Sequence, residues 1–163
     1  MAETVHLKLT ANGKVIEGES TQVSLDRGKT IECVFFQEGV KTSREAGSAK
    51  ALGRREHAPI LTRKRICQAT PLLLKALTEN TELEAEFKFF RPSPAGDGTT
   101  EQFYTITLKQ ARVSNYRLTS PDVLSPAATA EPPLEEVEFV FGHIVWTWMP
   151  NGLQHEDSWA SGK

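Results

Sequence analysis

The side chains here that could do chemistry are four histidines, two cysteines and a scatter of serines beside acids. His6, His57, His143 and His155 form no i, i+4 pair and no Cys-x-x-Cys accompanies them, so the spacing that holds a metal ion is missing. Cys33 and Cys67 stand among large apolar residues, which favours inert core thiols over a thiolate paired with His57. Ser20 and Ser158 lie near acids, as serines in most polar segments do. There is no Gly-x-Ser-x-Gly, no phosphate-cradling loop and no dinucleotide fingerprint. No set of residues supplies nucleophile, base and orienter together, so the sequence predicts no enzyme, no cofactor and no metal.

Binding chemistry is better represented. Lys41 to Arg65 holds eight Lys or Arg against two Glu, while Leu118 to Gly162 holds seven acids and no Lys or Arg. Two readings fit: basic and acidic surfaces that meet head to tail between copies, or two solvated faces that differ. Arg54-Arg55 and Arg63-Lys64-Arg65, with Phe35, Phe36, Phe89 and Phe90 for stacking, would also suit a small barrel that binds nucleic acid or another anionic ligand. A formal net charge of -2 and aromatics that alternate into a core argue against a polyanion.

The elements that must position these groups are mostly strands. At 163 residues with 39% hydrophobic and 25% charged residues, the chain is most simply one globular domain, 1–163. No run reaches membrane-crossing length, and MAETVHLKLTANG lacks the basic and apolar regions of a secretory signal, so synthesis in the cytoplasm without a signal peptide is expected. Val5, Leu7 and Leu9 alternate, and Asn12-Gly13 turns the chain into a hairpin. Thr30 to Val40 predicts a strand with Ile31, Cys33 and Phe35 on one face and Val34 and Phe36 on the other. Thr70 suits a helix cap, Pro71 suits the first turn, and Leu72, Leu73, Leu74, Ala76 and Leu77 give an apolar stripe. Asn80 suits a left-handed stop before the strand Leu83 to Phe89.

Tyr104, Ile106 and Leu108 share one phase and Ala111 and Val113 the other, which predicts a bulge near Gln110. One last strand is expected from Leu134 to Met149, apolar on both faces from Val140 to Trp148, followed by a C-terminal tail. Two long loops, Lys41 to Glu56 and the proline-bearing Thr119 to Pro133, are expected at the surface. The sum is a mainly β protein, a barrel or sandwich with one short helix laid against it.

An ordered series of motifs then spans the chain. It comprises Ile16-x-Gly18-Glu19-Ser20, Gly39-Val40, Gly53-Arg54-Arg55-x-His57-x-Pro59, Thr70-Pro71-Leu72-Leu73, Glu86-x-x-Phe89-Phe90-Arg91 and Phe103-Tyr104-Thr105-Ile106-x-Leu108. Glu135-Glu136-Val137, Trp146-Thr147-Trp148, Gly152-Leu153 and Asp157-x-Trp159 complete it. In this series the chain resembles the haemolysin-coregulated protein (Hcp) family of type VI secretion systems. The resemblance implies a two-sheet β-barrel with one short α-helix on its side, assembled as a homo-hexameric ring. It further implies rings stacked into a tube, a spike protein at the tip, a contractile sheath around it, small secreted effectors in the lumen and export through the apparatus. Neither nucleic-acid binding nor membrane insertion belongs to that picture. Arg44, Arg54, Arg55 and His57 are then expected at contacts between subunits and stacked rings, against the alternative of a solvated loop. Val140, Ile144, Trp146 and Trp148 are expected to divide between the lateral interface and the core.

Overall fold

The computed structural model describes residues 3–127 and 130–159. Residues 128–129 of the proline-bearing loop, Met1 and Ala2, and residues 160–163 lie outside the description. Strand β1, Thr4–Ala11, turns through Asn12 and Gly13, both at positive φ (50° and 78°), into β2, Lys14–Ile16. That pair of left-handed residues is what a tight hairpin turn requires, and Asn-Gly supplies it.

Pairings pass from β1 to β3 (Ile31–Gln37), from β3 to β6 (Ile60–Arg65), and from β6 to β9 (Leu134–Val140). On the other side they pass from β1 to β7 (Leu83–Pro92) and from β7 to the 20-residue β8 (Thr100–Thr119). β8 also pairs with β9, so the path closes into a six-stranded antiparallel barrel. The first part of this long strand thus pairs with β7 and its last part with β9. The strand does so by bending at Gln110, whose φ of 53° marks the bulge that the phase change between Leu108 and Ala111 predicts. Leu7, Leu9, Ile31, Phe87, Ile106, Leu108 and Phe139 fill the barrel.

The bulge also reshapes the last strand, which is two strands rather than one. The facing ends of β9 and β10 (His143–Trp148) share one register along β8, Val140 opposite Arg112 and His143 opposite Lys109, while β9 shifts register farther on between Val113 and Asn115. Between them Phe141 and Gly142 leave the ladder, and the Gly142 N–H is shared by the carbonyls of Lys109 and Gln110 at 3.2 Å each. β9 therefore turns toward β6 to close the barrel, while β10 continues outside it and receives the C-terminal strand β11 (Leu153–Ser158).

Two other local expectations are corrected. In β3 the register slips between Cys33 and Phe35, so Phe36 turns inward against Phe87 and Phe89 while Phe35 stays outside beneath the Arg63 guanidinium. The helix α1, Thr70–Thr78, buries Leu73 and Ala76 but leaves Leu72 exposed, and Ala69 occupies the capping position. Thr70 does not cap because its hydroxyl donates to the buried Glu135 carboxylate at 2.6 Å, a stronger charge-assisted bond. Asn80 ends the helix region at φ 52°.

Candidate assembly interface

The basic loop is an arm rather than a coil. Short strands β4 (Val40–Lys41) and β5 (Glu56–His57) pair at its base, and Arg44 bridges to Ala51 farther out. Between them the chain is small, polar and almost wholly exposed. Arg44 donates to the Ala49 carbonyl at 3.3 Å, which shapes the arm's tip and leaves most of its charge toward solvent. Arg54 is exposed as well.

Arg55 and His57 behave differently, because both reach the C-terminal strand of their own chain. The Arg55 guanidinium grips the Asp157 carboxylate through Nε and Nη2 and donates to the Ser158 carbonyl at 3.1 Å. His57 Nε2 lies 2.7 Å from Oδ2 of that carboxylate, the oxygen that Arg55 Nε also meets, with its side chain 4% exposed. Arg55, by its hydrogen bonds above all, with help from His57 and the Ser158 N–H, holds the Asp157 carboxyl well below the usual carboxylate range. Around His57 stand Phe141, Trp146 and Trp159, with ring centroids 5.3, 6.2 and 5.5 Å away. The arm's base is therefore fastened to β11 by charge and to β10 by aromatic packing.

The four apolar candidates separate cleanly. Ile144 is 1% exposed and belongs to the core. Val140 is 40% exposed at the break between β9 and β10. Trp146 is half-buried, stacks on His155 at 5.7 Å and donates from Nε1 to Glu38 at 3.1 Å. Trp148 is half-buried against Phe103, with the Arg91 guanidinium over its ring. Other exposed apolar side chains, Met149, Leu153 and Trp159, lie on or beside β10 and β11.

Spacing alone did not single out Asp157 or Glu38, although Asp157-x-Trp159 stands in the motif series. Burial raises the Glu38 carboxyl above its ordinary value, partly offset by the Trp146 hydrogen bond. The charge asymmetry is also partly satisfied within the subunit: Arg55 meets Asp157, Arg63 meets Glu136 at 3.1 Å and Lys64 meets Glu135 at 2.6 Å. β6 and β9 are neighbouring strands, so these two runs of opposite charge face each other by topology. What the arm still presents outward is Arg44, Lys50 and Arg54.

A closed antiparallel barrel with one α-helix among the described residues, a paired arm and an added β10–β11 hairpin is the class of fold these observations define. The family described as "Type VI secretion system effector, Hcp" matches residues 6–148. The chain is 32% identical over 127 residues to the Major exported protein of Pseudomonas aeruginosa, covering 77% of this chain and 73% of that protein. The Hcp1 protein from the E. coli EAEC 042 pathovar superposes with a TM-score of 0.82 at 28% identity, over 97% of this chain and 99% of its own. Secreted protein Hcp3 from P. aeruginosa, at 22% identity and a TM-score of 0.72 over 97% and 99%, shares the fold. The chain belongs to the Hcp family of the type VI secretion system.

Proposed function

We propose that this chain is the structural subunit of a type VI secretion inner tube. In this reading six copies close into a ring, rings stack into a hollow tube beneath a spike protein, and sheath contraction expels the tube with small effectors in its lumen. The observation that carries it is the family match across residues 6–148, which takes in every barrel strand from β3 to β9 and nearly all of β1. Physical support comes from the surface. Ring closure needs two complementary lateral faces, and among the described residues β11 stands at one end of the strand order while Val140, Met149, Leu153 and Trp159 stay partly exposed. Ring stacking needs a projecting element, and the arm with Arg44, Lys50 and Arg54 outward provides one, with Arg55 and His57 positioning it. Export tests the reading. The chain should appear in the medium of its source bacterium when the sheath is intact and disappear from it when sheath contraction is abolished; contraction-independent release would refute the proposal.

A further inference from the structure

On the side of the barrel formed by β1 and β7, His6 and Lys88 project outward yet are only 1% and 4% exposed. They are covered by the segment that follows β2. Its two ends are tied together by the Gly18 N–H to the Lys29 carbonyl at 2.7 Å and the Ser20 N–H to the Thr30 carbonyl at 3.1 Å. Residues 21–29 between them form a flap. Three of its non-glycine residues sit in the left-handed region, Leu25 at φ 56°, Asp26 at 59° and Lys29 at 57°, conformations that side chains disfavour. Its apolar residues do not hold it down, since Val23 is 79% and Leu25 46% exposed.

The flap is held instead by polar anchors gathered around His6. Arg27, itself 6% exposed, bonds Gln22 and Ser24 within the flap and ties it to the wall by lying over the Phe90 ring of β7 at 4.8 Å. The Phe90 ring meets the His6 ring edge-on at 5.3 Å. Lys88 reaches Asp26 at 3.3 Å. The Thr30 hydroxyl donates to the Arg27 carbonyl at 2.7 Å, so at its 2.9 Å contact with His6 Nδ1 it accepts. His6 therefore carries its proton on Nδ1, and an added proton goes to Nε2, which has no hydrogen-bond partner among the described residues.

The geometry points to a proton-operated flap: uptake of a proton by His6 releases residues 21–29 from the barrel wall. The charged groups facing His6 decide the sign. Arg27 from the flap and Lys88 from β7 oppose an imidazolium, whereas Glu32, directly across on β3 and exposed, favours it. Burial opposes it most of all, and the net effect is a His6 that resists protonation while the flap is closed. A group that protonates more readily in the open state draws the flap open as pH falls below the ordinary histidine value of about 6.5. Moving Arg27 away with the flap removes one cation and relieves three strained residues, at the cost of uncovering the Phe90 ring beneath it. Opening exposes the outer wall of β1 and β7 without disturbing the barrel core.

Hydrogen exchange of the purified chain, corrected for intrinsic rates and compared between pH 7.5 and pH 5, tests this. Peptides covering 21–29 should exchange faster by up to about tenfold per pH unit as pH falls below about 6.5, while those covering 60–65 and 104–108 stay protected. His6→Gln should abolish the pH response of the flap. Should that variant fail to fold, imidazole titration by NMR on the unmodified chain takes its place, with the His6 midpoint below about 6.5 and flap exchange rising between about 6.5 and that midpoint. Equal flap exchange at both pH values, an undiminished response in His6→Gln, or flap exchange that does not rise between about 6.5 and the His6 midpoint would each overturn the proposal.

Discussion

Lys64 Nζ and Glu135 Oε2 lie 2.6 Å apart inside the barrel wall, with side chains 1% and 0% exposed. The remaining bonds are complete around them: Lys64 also donates to the Arg65 carbonyl and to Thr70, and the Thr70 hydroxyl donates to Glu135 Oε1. A buried pair of this kind contributes little net stability over an apolar pair of the same shape, but removing one member leaves an uncompensated charge. Lys64→Met should therefore destabilise the fold by about 3 to 5 kcal/mol. Lys64→Met with Glu135→Leu should recover most of that loss. Denaturant unfolding of the two variants measures both, and a double variant no better than the single would contradict the account.

Gly18 carries a second stability prediction. A Cβ there would stand 2.5 Å from the Thr30 carbonyl oxygen and 2.7 Å from the Ile31 Cα, both backbone atoms that cannot swing away. Gly18→Ala should cost about 1 to 3 kcal/mol through forced displacement. At Gly53, where an added Cβ meets nothing within 4 Å, the same change should be near neutral. Thermal unfolding of the pair separates a steric role for Gly18 from a general effect of replacing glycine.

Much of the barrel could be read from the chain because the signals are local. Asn12-Gly13 specifies a turn, Asn80 a stop, and the phase change from Leu108 to Ala111 a bulge, each within a few residues. The β3 phase could not be read, because the slip between Cys33 and Phe35 is set by pairing with β6 rather than by the strand's own pattern. Nor could the site's organisation. Arg55 and Asp157 are 102 residues apart in sequence, and neither type nor spacing says that one clamps the other. The same holds for Thr70, whose side chain suits a cap until the buried Glu135 carboxylate is placed beside it.

The clamp between arm and C-terminal strand has a defined pH window. The folded pKa of Asp157 is depressed, so its contribution is present above the unfolded value of about 3.9 and is lost as pH falls through the lower folded value. The Asp157 share of the stability difference between the parent chain and Asp157→Asn should persist through the ordinary carboxylate range and shrink only in strong acid. Proteolysis within residues 42–55 should meanwhile accelerate in the variant at neutral pH. A difference that closed as pH fell through the ordinary carboxylate range near about 4 would show that the carboxylate is not held as described.

Arg54 and Arg55 adjoin in sequence but should separate in experiment. Arg54→Glu changes an exposed charge on the arm and should leave unfolding within about 0.5 kcal/mol of the parent while weakening ring stacking, as judged by sedimentation at high protein concentration. Arg55→Glu should loosen the arm's base even in the isolated subunit, because it sets two carboxylates together. Identical behaviour of the two variants in both assays would contradict the division of labour.

The mass of the purified, tag-free chain in dilute solution, from light scattering coupled to gel filtration with images of the main peak, tests the tube reading most directly. The account predicts a species six times the 18.1 kDa subunit, seen as rings with a central hole. A lone 18.1 kDa monomer that persists on concentration would contradict it.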